Sequence, residues 1–483
     1  MCTTIVKKID DSSKSAQFVI KNIAEGELPE NVTKDQVEKE MHVVGSDGRV
    51  YKNAEAILKI LEQYPTWSHI VWIGRLPVIR HVLPIGYRFI AMNRHFLYGS
   101  IGRIYWTKVV ICIGFIASVL LSLKLWVNTR FYPHTPILEI IPPFPYPFDW
   151  IILIGILCLL VATIFVPKPK FYIWATVFLT IILVIYDQSR LQPWVYQYVW
   201  MLVTLALFSW KFEDSDGRKA TLNACRFIIA TIYFWSGIQK LNPEFINSVF
   251  PWMVGPIVQL FPDTTQSTFY AFGMFVPFIE IGIGIGLLTR FKNIGIGFAF
   301  AMCIFVLWTL GPFGHNWNSV VWPWNITLLA LVCILFIKTD IPPIYKILNI
   351  KKYVFHRVVL VVFGFLPMLY FFNVWDSYLS WSLYSGTTNQ STLYISDSVK
   401  ERLPKDMQQF VQTDTESKSS ISILDWSFTE LNVPPYPETR IFKNIAQNVC
   451  KYADNPNNVV LDMRGRVSWF YRDAQQSLNC AQL

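Results

Sequence analysis

The chain has 483 residues, of which 53% are hydrophobic, 16% aromatic and only 16% charged, against roughly 25% charged in an average soluble domain. Its apolar residues gather into long uninterrupted runs, which a hydrocarbon layer about 30 Å thick selects and a soluble core does not. The formal charge of +9 is carried largely by basic residues flanking these runs, and no basic stripe interleaved with exposed aromatics is present, so a nucleic-acid partner is excluded.

The first apolar run begins near residue 109, after a charged and polar stretch with no core of signal-peptide type. The amino end is therefore expected to stay cytoplasmic. Within this stretch His42-Val-Val and Arg49-Val-Tyr51 read as two short strands joined by a turn at Gly45-Ser-Asp-Gly48. Asn53 can cap a following helix whose residues Ala56, Ile57, Leu58, Ile60 and Leu61 form one broad apolar face. Between Ile70 and Tyr98 apolar residues mix with Arg75, Arg80, Arg88 and Arg94, a pattern suited to helices lying on an anionic membrane surface.

Nine spans are predicted, near Val109–Val127, Trp150–Val166, Phe171–Tyr186, Trp194–Trp210, Ala224–Lys240, Ala271–Leu288, Ile294–Leu310, Val320–Ile337 and Val354–Phe372. The connections on the amino-terminal side carry twelve basic residues: Lys168, Lys170, Lys211, Arg218, Lys219, Arg290, Lys292, Lys338, Lys346, Lys351, Lys352 and Arg357. The opposite side has Lys124, Arg130, Arg190 and Lys240. Basic flanks resist translocation, so the amino end is cytoplasmic and the odd span count sends residues 376–483 outside.

Cys112, Cys158, Cys225, Cys303 and Cys333 fall in predicted spans, where cysteine acts as a small apolar residue. Cys450 and Cys480 lie in the outer segment and can pair if that compartment is oxidising. This segment, with short apolar runs at Ser391–Ile395 and Val459–Val467, reads as an α+β domain. Pro434-Pro-Tyr-Pro437 reads as a rigid extended connection, and Asn389-Gln-Ser as a glycosylation acceptor in a eukaryotic secretory pathway only. The fold expected is thus a membrane all-α bundle of nine helices between a small amino-terminal module (1–100) and a carboxy-terminal domain (376–483).

Ionisable residues at or in spans need a partner, a wet cavity or a role. Lys240 ends the fifth span just before Asn242-Pro243; its position suits a snorkelling lysine, and a desolvated lysine there could also act as a base. Glu280 falls roughly 13 Å into a helix starting at Ala271, at 1.5 Å per residue. Gly282, Gly284 and Gly286 let a neighbouring helix come close enough to bond it, leaving a structural hydrogen bond and proton handling as its two readings. His315 and Asn318 sit in a polar-aromatic hairpin between the seventh and eighth spans, where interfacial tryptophans are ordinary anchors and a histidine is commonly structural. Lys240, His315 and Asn318 fall on one membrane face and Glu280 lies on a helix entering from that face, so an outward-opening pocket closed by aromatic residues is expected.

Two resemblances add to this reading. VVGSDGRVYKNAEAILKIL followed by YRFIAMNR resembles the carboxy-terminal part of DCC-family thiol-disulfide oxidoreductase-like domains, which implies a thioredoxin-like α/β module, thiol exchange and a thiol-redox protein as partner. The family's Asp-x-x-Cys-x-x-Cys motif is represented only from its second cysteine, Cys2, so either a start misplaced at an internal methionine or a degenerate docking domain is expected. SGIQKLNPEF resembles the lysine-bearing segment of vitamin K-dependent γ-glutamyl carboxylases and their bacterial HTTM relatives, with Lys240 at the proposed catalytic position. His315 to Ser319 resembles that family's His-x-x-Asn-Ser phrase, and Glu280 falls at a common acidic position. Gln239 replaces a second lysine and Trp322-Pro-Trp324 a Gly-x-Phe-Pro phrase. PFIEIGIGIGLLTR is also similar to the DoxX and MauE redox-associated membrane proteins.

The carboxylase resemblance implies an enzyme using a quinol (hydroquinone) and oxygen at an outward-facing site in the lipid bilayer, with Lys240 as base, His315 and Asn318 stabilising a developing oxyanion, and Glu280 nearby. No metal ligand set is evident. The alternative is a non-enzymatic quinone- or lipid-binding scaffold or assembly factor, favoured by the incomplete cysteine motif. A transporter is less suited, since no internal repeat is seen.

Overall fold

The computed structural model describes residues 42–45, 48–62, 71–72, 75, 99–138, 144–166, 168–207, 214–413, 419–466 and 475–483. Cys2 and nearly all of the Ile70–Tyr98 stretch lie outside them. Two compact units result, Met1–Gly102 and Arg103–Leu483, so the carboxy-terminal domain belongs to the same unit as the bundle.

In the first unit β1 (His42–Val44) pairs antiparallel with β2 (Val50–Lys52). The turn between them closes through Gly48 N–H donating to Gly45 O at 3.0 Å, with Gly48 at φ +73°, a conformation that favours glycine. The strands lead into α1 (Asn53–Leu61). Asn53 is its first helical residue and not its cap: Lys52 holds that position and supplies no side-chain bond. Ala56 and Ile60 are buried, whereas Ile57 is exposed, so the apolar face is narrower than the sequence suggests.

Helices occur at all nine predicted segments. They are α2 (Gly99–Leu121), α3 (Phe148–Phe165), α4 (Lys170–Tyr186), α5 (Pro193–Leu207), α6 (Ser215–Gln239), the broken pair considered below, α10 (Lys292–Leu310), α11 (Val321–Phe336) and a last helix from Val354 to Phe372. Four are long and apolar enough to cross a membrane, within α2, α3, α10 and the last helix; the broken pair brings the number to five. That last helix passes from an α-turn (α12, Val354–Val359) into a π-turn (Leu360–Phe365) and a 3-10 stretch (Leu366–Phe372) around Pro367. The π-turn makes the Phe363 carbonyl available, and the Trp235 indole of α6 donates to it at 2.9 Å.

Between α6 and α10 the chain departs from a simple hairpin. A π-turn (Phe245–Val249) opens into α7 (Phe250–Val258), followed by α8 (Asp263–Ala271) and α9 (Val276–Leu287). The predicted sixth span, Ala271–Leu288, is not one straight rod: the helix ending at Met274 and the one starting at Val276 meet at 43°. Glu280 therefore lies four residues from the start of α9, about 6 Å along its axis at 1.5 Å per residue, and not the 13 Å expected.

The carboxy-terminal domain is a five-stranded antiparallel sheet in the order β4-β5-β3-β6-β7, formed by β3 (Gln390–Ile395), β4 (Val411–Thr413), β5 (Ser419–Ser422), β6 (Val459–Arg464) and β7 (Gln476–Asn479). Alternate residues Leu393, Ile395, Ile421, Val459, Leu461 and Met463 are buried, as the two-residue period of a half-covered sheet requires. Two helices supply buried apolar faces to this domain: α13 (Ile423–Leu431) and α14 (Thr439–Cys450), the latter through Ile441, Phe442, Ile445 and Val449. Cys450 and Cys480 form a disulfide. Asn389 is buried and donates to Pro437 O at 3.1 Å, so the glycosylation sequon is closed to modification in the folded chain.

The domain is tied to one end of the bundle by polar contacts, of which that of Tyr132 is buried. The Glu430 carboxylate accepts from Phe131 N–H at 2.6 Å and Tyr132 N–H at 2.8 Å. Asn432 donates to Leu121 O at 2.8 Å and Ser319 Oγ at 2.7 Å. At the same end Asp187, fully buried just after α4, pairs with Arg130 and accepts from the Thr135 hydroxyl at 3.0 Å. Burial by itself would raise the Asp187 carboxyl, but the Arg130 guanidinium, the His134 bond and the charge of Arg190 hold it well below the usual carboxylate range. In the unfolded chain it titrates near its ordinary value of about 3.9. Its folded value is the lower one, so the stabilisation is fully present above about pH 4 and is lost as the pH falls toward the folded value. Thermal unfolding should thus show a loss of stability below about pH 4 that the Asp187→Asn variant, less stable at neutral pH, largely lacks.

Candidate functional site

At the end of α6 the helix stops at Gln239, with Lys240 as its C-cap. Asn242 then holds three strands of chain together: its Oδ1 accepts from Phe245 N–H at 2.9 Å, and its Nδ2 donates to Gln239 O at 2.8 Å and Ser385 O at 2.9 Å. This fixes the turn and sends Lys240 inward along its own helix. The Lys240 ammonium donates to Ser236 Oγ at 2.5 Å and to Glu280 Oε2 at 2.8 Å. Both partners of the ion pair are buried, with Lys240 6% and Glu280 7% exposed.

Helix approach makes this pairing possible. A Cβ on Gly237 would sit 2.6 Å from Pro277 O, and one on Gly284 would sit 2.6 Å from Ala230 O. Hydrogen at both positions lets α6 and α9 come into backbone contact, so residues forty apart in sequence meet. Gly286 packs on Gly295 of α10, 3.3 Å from where its Cβ would be. Gly282, the third small residue singled out in the sequence, faces open space.

The pair lines a cavity of about 100 Å³. Its walls are largely aromatic and apolar, including Tyr233 of α6, Phe250 and Met253 of α7, Phe305 of α10 and Trp324 of α11. Ser236 and Asn325 are further polar groups of the lining. Toward the carboxy-terminal domain, Trp381, Leu383 and Tyr384 form the roof. The chemistry available is therefore an apolar, aromatic-lined cavity with an ammonium and a carboxylate side by side.

Of the residues picked from sequence, Lys240 and Glu280 are brought together. Asn318 and His315 do not line the cavity; they hold its roof. Asn318 Nδ2 donates to the Tyr384 hydroxyl at 3.0 Å. His315 stacks on Trp252 with ring centroids 4.5 Å apart and bonds its carbonyl through Nε2 at 2.6 Å, while Trp252 in turn stacks with Tyr384 at 6.2 Å. Tyr384 occupies a left-handed conformation, φ +53°, which is strained for a bulky side chain and is held by this packing. Burial pushes its hydroxyl pKa up, so it remains protonated.

Sequence reasoning missed Tyr384, Ser236 and the Asp187 cluster. Tyr384 and Ser236 give no local signal, because a tyrosine or serine in an aromatic stretch is ordinary. Asp187, by contrast, directly follows an apolar run and precedes Arg190, the same criterion that identified Lys240.

No curated protein and no solved structure matches the chain. Residues 1–100 match the family model of DCC1-like thiol-disulfide oxidoreductase.

Proposed function

We propose that the chain is a multi-pass membrane protein whose bundle binds a hydroquinone beside Lys240 and Glu280 and withdraws a proton from it. The observation that carries this reading is the buried 2.8 Å ion pair set in an aromatic cavity. Aromatic walls suit a flat ring, and the polar groups suit its hydroxyls. Because Lys240 is paired, the base open to a ligand is the Glu280 carboxylate. Glu280 takes the hydroxyl proton, and Lys240, released from its partner's charge, holds the negative charge left on the ligand oxygen. A bound hydroquinone supplies two such hydroxyls and two electrons, with dioxygen as the acceptor implied by the carboxylase resemblance. Asn318 and His315 act through the roof.

The reading includes nine spans with the amino end cytoplasmic and the carboxy-terminal domain extracytoplasmic. The orientation rests on the twelve basic residues of the amino-terminal-side connections against four at the carboxy-domain end, of which Arg130 and Arg190 share Asp187 and Lys240 pairs with Glu280. The Cys450–Cys480 disulfide suits an oxidising compartment. The amino-terminal module, with Cys2 its single cysteine among residues 1–100, is assigned thiol–disulfide exchange, in which the Cys2 thiolate attacks a partner protein's disulfide, forming a mixed disulfide and releasing the partner's other thiol.

A second reading is favoured by the complete bonding of the Lys240 ammonium: a structural pair in a quinone-binding or lipid-binding scaffold. Purified full-length chain is expected to carry about one isoprenoid quinone per molecule, on the affinity grounds of a mostly apolar preformed pocket. In intact cells, Cys450 and Cys480 should react with an impermeant maleimide only after reduction. A chain that holds no quinone and whose tryptophan fluorescence is unchanged by added quinone sinks the site. Bound quinone without any turnover under oxygen leaves the scaffold.

A further inference from the structure

A second cavity, of about 500 Å³, lies where α10 begins and the chain leaves α11. Lys292, Asn293, Lys338 and Asp340 line it, with Ile296 as an apolar side. Leu310, at the other end of α10, borders the cavity beside Lys240, and the hairpin that follows it touches the carboxy-terminal domain through Ser319. At 1.5 Å per residue the ends of α10 are about 27 Å apart, close to the roughly 30 Å of a hydrocarbon layer. The second cavity therefore sits at headgroup depth on the opposite boundary from the roof.

What it offers a ligand is set by which polar groups the chain has already paired. The acceptors are taken. Arg103 donates to Ile334 O at 2.6 Å, Ile337 O at 3.1 Å and Lys338 O at 3.0 Å. The Thr339 hydroxyl donates to Phe336 O at 2.8 Å, and the Lys292 ammonium to Thr339 O. Donors are left over: an ammonium has three hydrogens, so Lys292 keeps two, and the side chains of Asn293 and Lys338 have no partner among the described residues. Lys338 is also held at φ +50°, a left-handed conformation that glycine adopts more cheaply. A lysine kept there at a local cost points to a use for its ammonium. Two lysines against Asp340 leave one net positive charge, which matches the single negative charge of a phosphodiester. Next to this polar mouth, Asn293, Gly297, Phe300 and Ile304 recur at i, i+4, i+7 and i+11, one stripe of α10. A Cβ on Gly297 would meet nothing within 4 Å, and Ile304 is 57% exposed, so the stripe is open to an acyl chain.

We infer that this cavity binds the headgroup of an anionic phosphodiester lipid, with Lys292, Lys338 and Asn293 donating to the phosphate oxygens and an acyl chain lying along the Gly297–Ile304 stripe. The site is independent of what occupies the cavity beside Lys240.

The test titrates full-length chain in detergent with phosphatidylglycerol, with phosphatidylcholine of the same acyl chains and with inorganic phosphate, read by native mass spectrometry and by melting temperature. Phosphatidylglycerol should bind about tenfold more tightly than phosphatidylcholine. Lys338→Gly and Lys292→Met should each weaken it about fivefold, the equivalent of the about 1 kcal/mol that a lysine contributes at an anionic membrane surface, and Asp340→Asn should tighten it by a similar factor. Lys338→Gly, relieved of its left-handed strain, should melt without lipid at or above the temperature of the unaltered chain, so its lost binding is not misfolding, whatever Lys292→Met does to the fold. Equal binding of the two lipids, or phosphatidylglycerol binding unchanged in Lys338→Gly, overturns the site. Inorganic phosphate that raises the melting temperature as much as phosphatidylglycerol does overturns the lipid as its occupant.

Discussion

Replacing Lys240 with methionine is expected to destabilise the bundle by about 3–5 kcal/mol, the usual cost of leaving one member of a buried ion pair alone. The Glu280 carboxylate, 7% exposed, would lose the ammonium 2.8 Å away. Ser236 can still donate to it only by reorienting, and the aromatic lining provides little other solvation. Removing both charges in Lys240→Met/Glu280→Gln should recover most of that stability, since a neutral amide and a thioether are far cheaper to bury. Thermal unfolding of the two single variants and the double variant measures the coupling. On the proposed hydroquinone reading, function should behave differently: the double variant regains stability but not hydroquinone binding, because proton acceptor and charge holder are both gone. A double variant that is stable and binds hydroquinone as the unaltered chain does would make the pair a purely structural device.

How far these features were legible in the sequence follows from the range of the interactions that make them. Helix positions depend on runs of apolar residues, which are local, and a helix occurs at each of the nine segments, although α2 and α6 start ten and nine residues earlier than expected because polar and basic residues continue the helix beyond the apolar run. The β1–β2 hairpin is carried by Asp-Gly, and two strands of the carboxy-terminal sheet, β3 and β6, by short apolar runs whose pairing the sequence does not indicate. Segment Phe245–Val258 was passed over because Pro251, Gly255 and Pro256 punctuate it like a loop, whereas packing of Phe250 and Val254 makes it helical. The break at Phe275 was hidden because the apolar run continues through it. Glu280 and Lys240 were both recognised, but their pairing depends on the rotation of two helices about each other. That rotation is set by the bare backbones at Gly237 and Gly284, and three candidate glycines on α9 could not be ranked from spacing alone.

Those three glycines give the second large effect. Gly284→Ala places a methyl 2.6 Å from Ala230 O and 2.8 Å from Phe234 N, both main-chain atoms that cannot rotate away. The helices must separate, at a cost of about 1–3 kcal/mol or more for an overpacked contact. Gly237→Ala meets Pro277 O at 2.6 Å and Ile281 N at 2.7 Å, one turn from Lys240. It should be the more damaging of the two for ligand binding, since the separation falls where Lys240 must reach Glu280. Gly286→Ala is milder, because its nearest neighbour is the Gly295 Cα at 3.3 Å. Gly282→Ala has nothing within 4 Å and should be neutral or stabilising by up to about 1 kcal/mol, as alanine is the better helix former. Melting temperatures should therefore be lowest for Gly237→Ala and Gly284→Ala, intermediate for Gly286→Ala and unchanged or raised for Gly282→Ala, and on the proposed reading hydroquinone affinity should fall most in Gly237→Ala. Equal stability across the set would mean that α6 and α9 are not in backbone contact, and the buried ion pair would lose its structural support.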